Sequence, residues 1–401
     1  MKLCVVSQYF PPDTGGASTR SSNLICSLMR KGHEVTVVTA FPHYPEGKIP
    51  LKYRLKLISL ESYGSARVLR VWVPPIAHEG IIKRLIMYTS FAFSALMALP
   101  FCRGNRVVWA MSPNYLCMIP ALALKIAESN SKIIHDVVDI WPGALLAAGY
   151  SFPRGILGIA GFLARVSYVF SDAIVTLSAS MRRTLLKTTS KSIKINVMEN
   201  VVGESFLRMS PGVRDNGFHI MYLGTLSPSN DFPTLVEAAS KLESDNDLRF
   251  TIAGAGELAG SIKRSLKEKN IKNVDFREGP INHDEVPKWL DEADALVLPL
   301  RSGFGDTSFP SKLGEYLASG RPVVCMADGS LAATLRANDL CLLVPPGDAE
   351  GLVRAFGRLR NEPSLCHELC SKGREYSKLH LSPASFEDKV EKILEIAEQT
   401  I

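Results

Sequence analysis

A chain of 401 residues, 46% hydrophobic and 21% charged with 24 scattered prolines, can support two domains with cores of their own, which excludes a small disulfide-stapled scaffold and a disordered or fibrous chain. None of its eight cysteines forms a C-x-x-C pair, so the common zinc and redox spacings are excluded and reduced thiols are expected. The net charge of +6 divides into +12 for residues 1–205 and −6 for residues 206–401, which suggests an acidic partner of the first half, such as a membrane surface, a phosphate-bearing substrate or nucleic acid, with unevenly charged solvated faces as the alternative.

The N-terminus enters a strand-like stretch at once, without the apolar run and cleavage site of a signal peptide, and a cytoplasmic protein is expected. A strand is predicted over Lys2–Gln8, a break at Pro11–Gly16, a helix over Ser18–Lys31 stopped by Gly32, and a strand over Glu34–Thr39. The alternation continues with strands at Val68–Val73, Arg106–Met111, Lys132–Val138 and Ala173–Ser178, and with helices at Ile81–Leu99 and Leu116–Ala127. Leu85–Cys102 contains no charge and approaches the length of a membrane span, yet it carries Thr89, Ser90, Ser94 and Pro100 and occupies the place of a crossover helix, so a buried domain helix and a helix dipping partly into a membrane both stay open. A second series of strands runs through His219–Leu223, Leu248–Ala253, Val274–Arg277, Ala295–Leu298, Pro322–Met326 and Leu340–Val344. Alternating strands and helices predict parallel sheets. The expected organisation is two Rossmann-like, doubly wound α/β domains, 1–205 and 206–382, facing a central cleft, with a linker near Asn200–Gly212 and a C-terminal helix from Pro383 docking back.

Two loops carry the chemistry. Gly15 and Gly16 follow the first strand at the mouth of a helix, where backbone can approach a ligand closely and exposed N–H groups suit a phosphate or an acceptor hydroxyl; a plain tight turn explains the glycines equally well. In the second half, Pro310 opens a helix on which Ser311 and backbone amides can face an anion and Lys312 adds a positive charge. Glu315 falls one turn on, where its carboxylate can reach a vicinal diol while the helix start holds a diphosphate. Asp245-Asn246-Asp247 spells a metal-binding pattern but sits between helix and strand and reads as a polar turn, so no metal is expected. Asp291-Glu292-Ala293-Asp294 lacks the phosphate-binding loop a helicase needs, and nucleic acid is not an expected partner.

Tyr9-Phe10-Pro11-Pro12 with Gly15-Gly16, Gly32-His33-Glu34-Val35, Pro42-His43-Tyr44-Pro45-Glu46-Gly47, Asp139-Ile140-Trp141-Pro142, Tyr222-Leu223-Gly224, Ala293-Asp294-Ala295 and the stretch from Pro310 to Val324 occur in an order that spans almost the whole chain. In these motifs the chain resembles the GT-B-fold, retaining glycosyltransferases of family 4, and more closely the bacterial surface-polysaccharide branch that includes colanic acid and L-fucosamine transferases. The resemblance implies transfer of a sugar from a nucleotide diphosphate donor, a UDP-sugar, to a lipid-linked polyprenyl diphosphate glycan in O-antigen or capsule synthesis. It also implies no cofactor beyond that substrate, and a peripheral place on the inner face of the cell membrane, an anionic surface.

The family carries two glutamates with seven residues between them, for donor sugar and ribose. Glu315 matches the second, whereas Thr307 stands at the first, leaving the sugar to Asp306, Thr307 and Ser308. Thr225 and Asn230 occupy the places of the usual diphosphate-binding Arg and Lys, which makes Lys312 the principal cation. The resemblance further places Gly224, Ser311 and Leu313 at the donor, and Gly15, Gly16, His43, Tyr44 and Trp141 at the acceptor. Met111 replaces a common histidine, so the catalytic assignment rests on Asp139, Lys312 and Gly16, with His135 weighed as a core histidine. Two alternatives stay open: a GT-B nucleotide-sugar epimerase, and a non-catalytic scaffold binding sugar nucleotide or lipid.

Overall fold

The computed structural model describes residues 1–44, 46–76, 80–147, 153–189, 193–210, 217–307 and 309–399. The chain divides into two compact units, one of residues 1–141, 153–200 and 384–401 and one of residues 142–152 and 201–383.

In the first unit, eight strands lie in the order β3-β4-β2-β1-β5-β6-β7-β8: β1 (Lys2–Val6), β2 (Glu34–Ala40), β3 (Ile58–Tyr63), β4 (Ala66–Val71), β5 (Val107–Met111), β6 (Lys132–Val137), β7 (Ala173–Thr176) and β8 (Lys194–Val197). All neighbours are parallel except β3, which runs antiparallel to β4 at the edge, with Ile58 opposite Val71 and Tyr63 opposite Ala66. Strands β3 and β8 are absent from the sequence reading. Both are edge strands, and Ile58–Tyr63 mixes half-buried with exposed residues rather than forming the buried run of a central parallel strand. The second unit holds six parallel strands in the order β11-β10-β9-β12-β13-β14: β9 (Phe218–Leu223), β10 (Leu248–Gly254), β11 (Val274–Glu278), β12 (Ala295–Pro299), β13 (Val323–Met326) and β14 (Leu342–Val344). Strand order reverses beside β1 in one sheet and beside β9 in the other, which makes the carboxyl ends of these two strands the crevices where such sheets take ligands.

The helix Gly16–Arg30 turns Leu24, Ile25 and Leu28 into the core and also buries Arg20. The Arg20 guanidinium makes paired 2.9 Å bonds to the buried Asp136 carboxylate of β6, and reaches the Met198 carbonyl at 3.1 Å and Asn200 Oδ1 at 3.0 Å. The helix Ile81–Ala95 runs into a 3-10 turn at Leu96–Phe101. Its inner face, with Met87, Phe91, Ala95 and Ala98, packs on Val6, Val38, Leu69 and Val108, while Ile82, Leu85, Ile86 and Phe93 face outward. Ile82–Phe101 is long and apolar enough to cross a membrane by length and composition, and its packed inner face is that of a crossover helix between β4 and β5.

The C-terminal helix Pro383–Glu398 buries Phe386, Val390, Ile393, Leu394 and Ala397. Its acids meet Arg30 at 2.5 Å and His33 at 2.8 Å, and Lys389 meets Glu199 at 2.6 Å. Such partly exposed pairs contribute little, so apolar burial holds this helix. The eight cysteines are free thiols.

Candidate active site

At the carboxyl end of β9 the chain turns at Gly224, with φ at +136°. A Cβ there would lie 1.8 Å from Cε of Lys312, so any side chain would displace the end of the lysine, and the positive φ disfavours one in any case. The glycine thus lets the lysine lie across the strand end, with Nζ 5.6 Å from the Tyr222 ring centroid. Burial lowers the Lys312 pKa to about 8, against the pull of Glu315 in the other direction. Gly254, ending β10, is required by the same crowding, since a Cβ on it would meet the Gly224 carbonyl oxygen at 1.8 Å.

Lys312 is carried by the helix Ser311–Ser319, preceded by Pro310 in an extended conformation and ended by Gly320 in the left-handed region. This helix is fixed to β9 by the Tyr316 hydroxyl, which accepts from the Leu223 N–H at 2.8 Å and donates to the Leu223 carbonyl at 3.0 Å. Ser311 is exposed in the first turn, whereas Leu313 is a core residue whose N–H goes to the Pro310 carbonyl at 3.2 Å. Glu315 is partly buried and accepts a 3.0 Å hydrogen bond from Nε2 of His283.

Asn230 is buried and braces the loop after β9, donating to the Tyr222 hydroxyl at 3.2 Å and to the Thr225 carbonyl at 3.3 Å. The Tyr222 hydroxyl donates to that carbonyl at 2.6 Å. Asn230 and Thr225 therefore build the loop rather than present a cation, and Lys312 supplies the positive charge at the strand end. Asp306 accepts from the Ser330 N–H at 2.8 Å at the start of the helix Gly329–Ala337, and its Oδ2 lies where a Cβ on Gly329 would come within 2.6 Å. Thr307 donates to the Phe304 carbonyl at 3.2 Å, and its methyl faces Gly143, where a Cβ would come within 2.9 Å. Ser308 lies outside the described residues.

In the first unit, Gly15 (φ +99°) caps the helix that opens at Gly16, and both glycines are exposed. A Cβ on Gly15 would approach the Tyr44 ring to 3.3 Å. The loop bearing His43 and Tyr44 is held by buried Asp13, whose Oδ1 accepts from the His43 N–H at 2.8 Å and the Tyr44 N–H at 2.9 Å. Burial raises the Asp13 pKa, opposed by His43 and those two N–H groups. Burial also lowers the His43 pKa, and its neutral ring gives Nδ1–H to the Phe41 carbonyl at 2.8 Å. Tyr9 stacks on His43 at 5.7 Å and meets Tyr44 edge-on at 5.5 Å, and it shares a hydrogen bond with Tyr88.

Tyr88 in turn stacks on Trp141 at 6.0 Å, and burial raises its pKa to about 12. Trp141 also packs on Tyr115 at 5.1 Å, whose hydroxyl donates to the Asp139 carbonyl at 2.6 Å and lies 3.0 Å from the Tyr168 hydroxyl. One run of aromatic contacts thus brings together Gly15, His43, Tyr44 and Trp141, with Asp139 at its end. The sequence reading assigns no role to Tyr88, Asp13, His283 or Tyr316. Tyr88 is hidden within an uncharged stretch, and the others take their meaning from partners 30 to 93 residues away.

His135 is buried against Tyr115 and Tyr168, with its pKa lowered by burial to about 3, and Met111 is buried at the end of β5. Asp245 and Asp247 both pair with Arg360, and the Asp247 N–H goes to Asp245 Oδ1 at 3.1 Å, so this pattern is a polar turn. Among the described residues no three His, Cys, Asp or Glu side chains are grouped to hold a metal.

Residues 217–362 match the family described as Glycosyl transferases group 1. WcaI of Escherichia coli (strain K12), named for a glycosyl transferase of colanic acid biosynthesis, is 26% identical over 388 residues, covering 88% of this chain and 90% of that one. The sucrose-phosphate synthase of Thermosynechococcus elongatus superposes with a TM-score of 0.79 at 17% identity, covering 98% of each chain. A structure from E. coli described as trehalose-6-phosphate bound with UDP-2-fluoro glucose superposes at 0.75 with 12% identity over the whole of both chains. The chain carries a glycosyl transferases group 1 domain in its second unit and is a glycosyltransferase with the two Rossmann-like units of the GT-B fold.

Proposed function

We propose that this glycosyltransferase moves a sugar, with retention at C1, from a UDP-linked donor to a lipid-linked glycan precursor in the synthesis of a surface polysaccharide. The observation that carries the reading is the placement of Lys312 across the Gly224 turn, one helical turn before Glu315. As the bond to the diphosphate breaks, C1 gains positive charge and the phosphates gain negative charge; a preorganised cation in a partly buried setting stabilises the second. Lys312 and the amides of the first helical turn meet that need, and Glu315 takes the ribose diol. The acceptor hydroxyl attacks from the face the diphosphate leaves and passes its proton to a phosphate oxygen, while Asp139 and the Gly15-Gly16 backbone orient it. Tyr44 and Trp141 offer aromatic faces for sugar rings.

The likeness to WcaI supports the polysaccharide role, and the UDP-sugar described for a structural neighbour supports the donor. Transfer proceeds without a divalent metal, Lys312 standing in its place. The test is NMR of the product in EDTA: the retained anomer should form at an undiminished rate, and an inverted product or a strict metal requirement would refute the mechanism.

The acceptor's lipid places the first unit at the cytoplasmic face of the membrane. The segment Leu51-Lys52-Tyr53-Arg54-Leu55-Lys56-Leu57 supports this, because Leu51, Leu55 and Leu57 are exposed among basic side chains. The outward Ile82, Leu85 and Phe93, and Ile159 and Phe162 of the helix Arg154–Val169, add exposed apolar surface on the same unit.

A further inference from the structure

The carboxylate of Glu315 has its own holder. His283 sits in the turn His283–Glu285 that follows β11, with Asn282 accepting the Asp284 N–H at 3.3 Å to close the turn. Its Nε2 is 3.0 Å from Glu315 Oε1, and since a carboxylate can only accept, that nitrogen carries the hydrogen. The ring, about half exposed, packs edge-on against Phe206 of the short helix Glu204–Leu207: the two centroids are 5.6 Å apart at 61°, and Phe206 is fully buried. Glu315 raises the pKa of His283, assisted by Asp284, so the imidazole is biased toward the form that donates from both nitrogens.

A glutamate side chain on a helix surface samples several rotamers, and freezing it on ligand binding costs affinity. One Oε held by His283 leaves the other Oε in a fixed direction. A diol hydroxyl that donates to that oxygen then meets an acceptor already in place. We infer that His283 is a positioning residue that locks Glu315 for the ribose hydroxyls, so that this pair, rather than the glutamate alone, sets the preference of the site for ribonucleotides. The inference rests on the reading of Glu315 as the diol-binding carboxylate and goes one residue beyond it.

The experiment measures binding of UDP and of 2′,3′-dideoxy-UDP to the full-length wild type and to Glu315→Ala, His283→Ala and His283→Gln. Loss of one charge-assisted contact corresponds to about tenfold in affinity. His283→Ala should lower UDP affinity about tenfold and leave dideoxy-UDP affinity unchanged, shrinking the ribose preference. His283→Gln, whose amide N–H reaches about as far as Nε2, should restore most of it. If His283→Ala weakens both nucleotides equally, or weakens neither while Glu315→Ala loses the preference, the positioning role is refuted and the diol reading survives. If Glu315→Ala keeps the full ribose preference, the diol reading itself falls and the inference with it. The glutamine variant keeps the test open should the alanine variant fold poorly.

Discussion

Lys312 carries a charge in surroundings that disfavour it, and that is what makes it useful to an anion. With its pKa lowered to about 8 by burial, part of its charge is lost just above neutrality in the free protein. A bound diphosphate favours the charged form and raises that pKa, so binding above pH 8 takes up a proton. UDP affinity should therefore be flat between about pH 7 and 8 and fall at higher pH, approaching tenfold per unit. Calorimetric titration of wild type against Lys312→Met checks this, since the variant should bind weakly with no such decline. The same shift acts on stability with a definite sign. Between about pH 8 and the unfolded value near 10.4 the unfolded chain holds the extra proton, so wild-type stability contributed by this group is present above that window and lost as pH falls through it. Lys312 thus costs stability at neutral pH, and its neutrality to folding is recovered only in alkali.

Elements in this chain are tied across long sequence intervals by a few buried polar residues. The helix Gly16–Arg30 is joined to β6 and to the chain at Met198–Asn200 through Arg20, whose partner Asp136 has no exposed surface. Removing one member of such a pair leaves a buried charge without its counter-ion, at a cost of about 3–5 kcal/mol. Arg20→Met should lower the chemical denaturation midpoint accordingly, whereas the double variant Arg20→Met, Asp136→Leu should recover much of the loss. A drop below 1 kcal/mol in the single variant would remove this pair from the account.

The parallel strands, the helix stop at Gly32 and the Lys312–Glu315 spacing were legible in the sequence because they are local: apolar runs, glycine positions and helical periodicity. Arg20 with Asp136, His283 with Glu315, and Tyr9 with Tyr88 were not, because each is a pairing made by the fold between segments with no local signal. The loss of the usual Arg and Lys at Thr225 and Asn230 was visible as a substitution. Its physical consequence, a loop braced by Asn230 and Tyr222, arises only in the folded chain.

At the scale of the whole molecule, charge is divided between the halves of the sequence, +12 and −6, and the exposed leucines of 51–57 lie among the basic residues. Each basic side chain near an anionic bilayer contributes roughly 1 kcal/mol, so on the proposed membrane role Lys48, Lys52, Arg54 and Lys56 should together give salt-reversible attachment. Lys48 is partly engaged by Glu46 at 3.2 Å and Lys52 by Glu61 at 3.3 Å, so these two contribute less than Arg54 and Lys56. Liposome flotation should show binding to anionic vesicles that weakens with salt and with glutamine at these four positions. Equal binding to neutral vesicles without a salt effect would replace electrostatic docking by a purely apolar one.

The central claim, that Lys312 holds the leaving diphosphate of a sugar nucleotide, is tested most directly by turnover. Purified wild type and Lys312→Ala would be supplied with a panel of nucleotide sugars and a membrane lipid extract, and release of nucleoside diphosphate with labelling of lipid followed. Loss of a contact to a desolvated anion in the transition state is on the order of 2–4 kcal/mol, roughly thirty-fold to nearly a thousand-fold in rate. The account predicts lipid-dependent turnover of a UDP-sugar by the wild type and a loss of that size in the variant. Turnover by Lys312→Ala within a few-fold of wild type would contradict it.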